Sequence, residues 1–166
     1  MHTLNTLQHI PISVPLDVLS FEKQKEAYDT IIEKFGKIDS IVLNAGRTQR
    51  SLALDTDISQ TKEILELNFF STVNLARIVL KDMALKKSGH VIVISSVAGK
   101  FGVPISSSYS ASKFALQGYF DSLRAEVSSQ GIQVTTVCPG PVESEIADHA
   151  HRDPTLPKQI EGMYKY

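Results

Sequence analysis

A short β-branched run closed by two serines constrains this chain more than any other feature. His90-Val91-Ile92-Val93-Ile94 is apolar on consecutive rather than alternate positions after its first residue, so it reads as a strand buried in a parallel sheet. Ser95-Ser96 ends the run and a small-residue loop follows. Tyr109 and Lys113 then stand four apart at the start of a helical pattern. Four residues is about one turn, so phenol and ammonium lie on one face. Open α/β sheets keep their ligands at the carboxyl ends of their strands, where Ser96 falls. A hydroxyl, a phenol and an amine gathered there suit proton transfer. A nearby cation favours the phenolate, and moving a tyrosine from about 10 to about 7 takes roughly 4 kcal/mol. The competing reading is a surface Tyr and Lys beside a serine-rich loop. The serine, thirteen residues before the tyrosine and at the end of a buried strand, favours chemistry.

The rest of the chain supplies a scaffold of the same class. Ile10 to Asp17 alternates apolar and small residues, and Pro11 and Pro15 restrict it to the edge of a sheet. Ser20 caps a packing helix with Glu22 in its first turn; Tyr28, Ile31, Ile32 and Phe35 recur at helical spacing, and Gly36 stops it. Ile38 to Leu43 reads as the next strand and ends in the turn Asn44-Ala45-Gly46. Arg47 to Asp55 is a polar loop whose two arginines are expected to be solvated, with a phosphate contact as the alternative. Asp57 and Gln60 resemble a capping box. From Ile58 to about Leu85 no Pro or Gly interrupts, which predicts one long helix. Asn68 sits inside it between apolar neighbours, a position that demands a partner. Ala115, Tyr119, Leu123 and Val127 extend the buried face of the Tyr109 helix, and Gly131 ends it. Ile132 to Val137 is a further strand, ending in Cys138-Pro139-Gly140-Pro141-Val142.

The 166 residues suffice for one domain with a core, 42% hydrophobic and 21% charged. A net charge of -1 gives no footprint for nucleic acid. The single cysteine, Cys138, excludes an internal disulfide and fits a reducing, intracellular compartment. No apolar run reaches the length of a membrane span, and the first residues do not open a signal peptide. His149 and His151 with Asp148 and Asp153 suggest a metal only weakly, and none is expected.

Together, Asn44-Ala45-Gly46, Asn68, Ser96, Tyr109, Lys113 and Pro139-Gly140-Pro141-Val142 resemble the short-chain dehydrogenase/reductase family. Gln49-Arg50-Ser51-Leu52 and Cys138 to Val142 look most like its "member 7" branch of membrane-associated carbonyl reductases. The resemblance implies an α/β, Rossmann-like, doubly wound parallel sheet and an NAD(P)(H)-dependent oxidoreductase that interconverts a carbonyl and a secondary alcohol. Ser96 would hold the substrate oxygen, Tyr109 would be its acid or base, and Lys113 would lower the tyrosine pKa and hold the cofactor ribose. Asn68 would kink its helix and support a water relay to Lys113. Asp17, with Val18, would meet the adenine, although Asp17 also suits a plain helix start. Asn44, Ala45 and Gly46 would border the adenosine ribose. Pro139, Gly140 and Val142 would lie beside the nicotinamide, and Ser144 near the diphosphate. Residues 146–166 would begin a substrate flap. From the branch follow NADP(H) rather than NAD(H), and steroid or retinoid carbonyls as substrates. A homo-oligomer would form through the two long helices, with Phe114, Phe120, Phe69 and Val73 as its stripe unless these serve the core.

The family also opens with a strand, a glycine-rich turn, a helix and a second strand, and it closes with a further helix and strand. This chain carries neither set, and Gly36 is its first glycine. In the family order 3-2-1-4-5-6-7, that leaves the Ile10 strand about 14 Å from the Ile38 strand, three spacings of about 4.8 Å. The expectation is therefore a single partial Rossmann-type domain over 1–166, lacking the first two strands and the last. Two readings follow: part of a working reductase, or a short product without turnover that serves as a binding or dimerisation module. For this chain the expected place is the cytoplasm; relatives of the branch sit on endoplasmic reticulum membranes through an N-terminal segment.

Overall fold

The structure, a computed structural model, describes residues 10–142, 146, 150–154, 156 and 160. Helix α1 (Phe21–Phe35) starts on Ser20, whose side chain accepts from the Lys23 N–H, and stops at Gly36 in the left-handed region, with φ 76°. Strand β1 (Ser40–Leu43) and the two-residue β2 (Gln49–Arg50) follow. Next comes a long helical run: α2 (Ile58–Leu65), a π-helical turn over Glu66–Phe70, and α3 (Ser71–Lys86). Asp57 caps it through Ser59 N–H. Then come β3 (Gly89–Ile94), α4 (Ser107–Val127), β4 (Ile132–Val137) and β5 (His151–Arg152).

Strands β1, β3 and β4 form a parallel sheet in the order β1-β3-β4, with Val42, Ile92 and Thr135 in one row. The short β2 and β5 pair separately. Side chains alternate across a strand, so Leu43, Val91, Val93, Ile132 and Val134 share one face. Ala76, Val79 and Met83 of α3 and Leu116, Phe120, Leu123 and Val127 of α4 close the core over that face. This is the α/β, Rossmann-like arrangement that the sequence predicts. The opposite face stays open among the described residues: Val42 is 59% exposed and Val137 39%.

Two expectations need correction. Ile10 to Asp17 forms no strand. Its odd and even positions still alternate, with Ile12, Val14 and Leu16 half-buried between exposed neighbours, but no strand lies beside it among the described residues. Extended backbone without a hydrogen-bonded neighbour is not a strand, and Pro11 and Pro15 offer no donors. Phe120 is no part of an exposed stripe either; it is wholly buried in the core of its own chain. Phe114 is exposed, and Phe69 packs edge-on against Tyr119 at 6.0 Å between ring centroids.

Candidate active site

The carboxyl ends of β3 and β4 and the start of α4 converge on one spot. Hydrogen bonding between the strands continues past their ends, with Ser95 N–H donating to Val137 O at 2.8 Å and Val97 N–H to Pro139 O at 3.0 Å. Ser96 therefore leaves β3 beside the Pro139 turn. Its Oγ accepts from Ala98 N–H at 3.1 Å and also reaches the Tyr109 phenol. Lys113, 4% exposed, donates from Nζ to Ile94 O at 2.9 Å, and Nζ lies 5.6 Å from the centroid of the Tyr109 ring. The structure thus brings hydroxyl, phenol and amine together.

Their electrostatics depart from expectation. Burial pulls the Lys113 ammonium from 10.5 down to about 8. Burial also lifts the Tyr109 phenol above its usual value, while the Ser96 hydrogen bond and the charge of Arg50 pull it partway back. Arg50 is the cation whose charge lowers the phenol, while the Lys113 amine lies over the ring.

Asn68 is a latch. Within the π turn, Ser71 N–H bonds to Glu66 O, five residues back, and the extra residue turns Asn68 inward to complete burial. Its Oδ1 accepts from Arg47 N–H at 2.8 Å; its Nδ2 donates to Arg47 O and Ser112 Oγ, both at 2.9 Å. One amide thereby ties the turn after β1 to α4, one residue before Lys113. Gly46 lies in this seam. A Cβ there would sit 3.2 Å from Asn68 Oδ1 and 3.7 Å from Lys113 Nζ, close enough that the Asn68 amide would have to give by a few tenths of an ångström.

A second clamp holds the start of α4, and sequence reasoning passes over it. Ser106 makes no side-chain cap. Instead the buried Gln49 reaches across, its Oε1 accepting from Ser108 N–H at 2.8 Å. Gln49 Nε2 donates to Ser51 Oγ and Thr56 Oγ1, at 2.8 and 2.7 Å. Ser106 Oγ donates to Gln49 O, and Ser51 N–H to Ile105 O, both at 3.0 Å. Ile105 has φ 54°, a costly conformation for a β-branched residue, and the clamp holds it there. The polar triplet Gln49-Arg50-Ser51 is the only signal in the sequence. Nothing local says that it is buried.

The remaining candidates are placed as follows. Asn44 and Ala45 are exposed at the end of β1. Pro139 is half-buried, while Gly140 and Val142 are exposed. Asp17 is exposed and its Oδ1 accepts from Leu19 N–H at 3.0 Å, a turn that starts α1. Val18 O accepts from Gln24 Nε2 at 2.7 Å, and the same amide donates to Ser71 O. Gln24 thus ties Val18 to α1 and α3, among the described residues Asp17 bonds only within its own turn, and none of these bonds reaches the Tyr109 cluster. Ser144 and most of 146–166, with the His149 motif, lie outside the described residues. No helix among the described residues is long and apolar enough to cross a membrane.

A family model described as short chain dehydrogenase matches residues 2–155. Human dehydrogenase/reductase SDR family member 7 is 39% identical over 138 residues, which is 82% of this chain and 41% of that protein. Member 7B from Xenopus laevis is 39% identical over 150 residues, 90% of this chain and 46% of that protein. The chain thus spans less than half the length of these curated relatives. Among solved structures, a short-chain dehydrogenase from Streptomyces avermitilis is similar with a TM-score of 0.80 and 29% identity, over 90% of this chain and 57% of that one. An NAD+-bound xylitol dehydrogenase gives 0.72 and 26%, over 75% and 48%. A gluconate 5-dehydrogenase from Burkholderia cenocepacia, in complex with NADP and tartrate, gives 0.75 and 27%, over 79% and 51%.

Proposed function

Because this chain belongs to the short-chain dehydrogenase/reductase family, we propose that in the whole protein Ser96, Tyr109 and Lys113 interconvert a carbonyl and a secondary alcohol. The observation that carries this reading is the buried Lys113 amine beneath the Tyr109 ring, with the Ser96 hydroxyl within reach of the phenol. A bound nicotinamide supplies the hydride. The residues fit such a group at its ribose end. Of the three donors on Lys113 Nζ, one goes to Ile94 O, and no other acceptor stands on it among the described residues. Lys113 would hold the ribose hydroxyls with the donors left over. Asn44, Ala45 and Gly46 would border the adenosine, Asp17 and Val18 its adenine, Pro139, Gly140 and Val142 the nicotinamide, and Ser144, by the family pattern alone, the diphosphate. The family branch favours NADP(H) and steroid or retinoid carbonyls.

Tyr109 stays protonated at neutral pH, because burial outweighs the two influences that lower its pKa. Its Oη–H gives the proton to the substrate oxygen as the carbon is reduced, and takes it back in oxidation. Ser96 donates to the same oxygen and stabilises its developing charge. Asn68 keeps Lys113 and the β1 turn in register, and supports a water relay that passes protons to Lys113. Two copies meet through the long helical run and α4, with Phe114 and, beside Phe69 in the π turn, Phe70 exposed for the contact.

Tyr109→Phe in the whole protein tests the reading. Turnover falls about 10²- to 10⁴-fold, while cofactor affinity, read by fluorescence titration, stays nearly level. Retained turnover rejects Tyr109 as the acid. A binding or dimerisation module without turnover is the second reading. It stands if the whole protein binds no nicotinamide cofactor in the same titration.

A further inference from the structure

We propose that Gln49 and Arg50 are a positioning pair for Tyr109: Gln49 fixes the start of its helix, and Arg50 places a permanent positive charge beside its phenol. The inference deepens the proposed function and rests on Tyr109 as the proton donor. Strand β2 is two residues long, yet Gln49 supplies the bonds at Ser106 and Ser108 that open α4, and Ser51, the residue after the strand, supplies the one at Ile105. Gln49 is wholly buried in that clamp. Its neighbour Arg50 must then project from the opposite side of the strand. There it is half-buried, with Nη1 3.5 Å from Ser106 Oγ, three residues before Tyr109. Among the described residues no carboxylate pairs with Arg50, so its charge is not cancelled locally.

The groups that face the phenol are few. Ser96 reaches it from the end of β3, Lys113 lies over the ring from α4 itself, and Arg50 of β2 stands at Ser106, three residues before Tyr109, where its charge acts on the phenol. The long helix touches this part of α4 through Thr61 and Asn68, and its charged residues Lys62, Glu63 and Glu66 do not act on the phenol. A guanidinium stays charged at every working pH, whereas Lys113 titrates near 8. Arg50 therefore keeps stabilising negative charge on Tyr109 Oη where Lys113 has become neutral.

The test is a tyrosine titration by NMR on the chain labelled at tyrosine 13Cζ. Five tyrosines give five signals, and Tyr109→Phe identifies the one that matters. Arg50→Gln raises the Tyr109 midpoint by about 0.5 to 1 pH unit. Arg50→Lys restores most of the shift. Where Arg50→Gln fails to fold, Arg50→Met keeps the aliphatic stem and carries the same expectation. An unchanged Tyr109 midpoint in a folded neutral variant, or no rescue by Arg50→Lys, overturns the proposal. The titration needs no turnover, so its outcome is separable from the fate of Tyr109→Phe in the assay.

Discussion

The region around the start of α4 and the segment from Ile10 to Val18 are built on opposite terms. Around α4, Gln49, Asn68, Ser106, Ser112 and Lys113 are all buried, and each has partners from a different stretch of chain. Among the described residues no buried side-chain nitrogen or oxygen lacks one. The Ile10 segment has apolar residues without a core, Ile10 being 80% exposed, and extended backbone without a sheet. The open face of β1 shares that condition. The proton-handling half of the site is thus closed by contacts within the described residues, whereas the surfaces expected to meet the adenosine are not. A buried polar network is stable only when every member is satisfied, so the first region is all-or-none and the second tolerates change.

The sharpest way to break this contrast is to cut both regions equally. Phe120→Ala removes the largest fully buried side chain and costs about 3 to 5 kcal/mol by urea denaturation. Ile12→Ala, on the half-buried segment, costs under about 1 kcal/mol. Comparable losses would mean that the segment has a core of its own. Next in size is the pH dependence of stability. The folded-state value for Lys113 lies below its unfolded value, so between about pH 8 and 10.5 the unfolded chain binds the extra proton. Stability therefore rises with pH across that window, by up to roughly 3 kcal/mol. The raised phenol of Tyr109 acts the other way: its contribution is intact below pH 10 and is lost only as pH passes its folded value. Lys113→Met flattens the rise, and a rise that persists in that variant removes Lys113 as its source. Asn68→Ala comes third. It strands the Arg47 N–H and C=O in the seam and costs about 2 to 3 kcal/mol, read by thermal unfolding.

The parts legible in the sequence are those set by period and by local chemistry. The Val91 to Ile94 run, the Ser20 cap, the Gly36 stop and the four-residue spacing of Tyr109 and Lys113 each depend on neighbours close in the chain. The parts that were not legible depend on partners far along it. Gln49 caps a helix 59 residues away, and nothing around it marks the polar triplet as buried. Asn68 could be recognised as a misfit inside a helix, but not as the amide that joins Arg47 to Ser112. The expected edge strand at Ile10 shows the same limit from the other side. Alternation is local and survives, whereas pairing is not and is missing. The direction of Lys113 also escapes spacing: one helical turn puts amine and phenol on one face, but Ile94 O decides where the amine points.

The smallest expected effect bears on the open sheet face. Val42→Thr replaces a methyl with a hydroxyl at nearly constant volume. In a parallel strand covered on both faces, that hydroxyl would lose water and find no partner, at about 1 to 3 kcal/mol. Val42 is 59% exposed, so here the hydroxyl remains hydrated and stability shifts by no more than about 0.5 kcal/mol. Val91→Thr, one residue from Ile92 on the neighbouring strand and wholly buried, provides the contrast in the same sheet and carries the larger penalty. A loss above about 1 kcal/mol at Val42 would show that this face is covered in solution. Repeating the measurement at tenfold lower protein concentration then separates a second copy, whose cover weakens on dilution, from a segment of the same chain, whose cover does not.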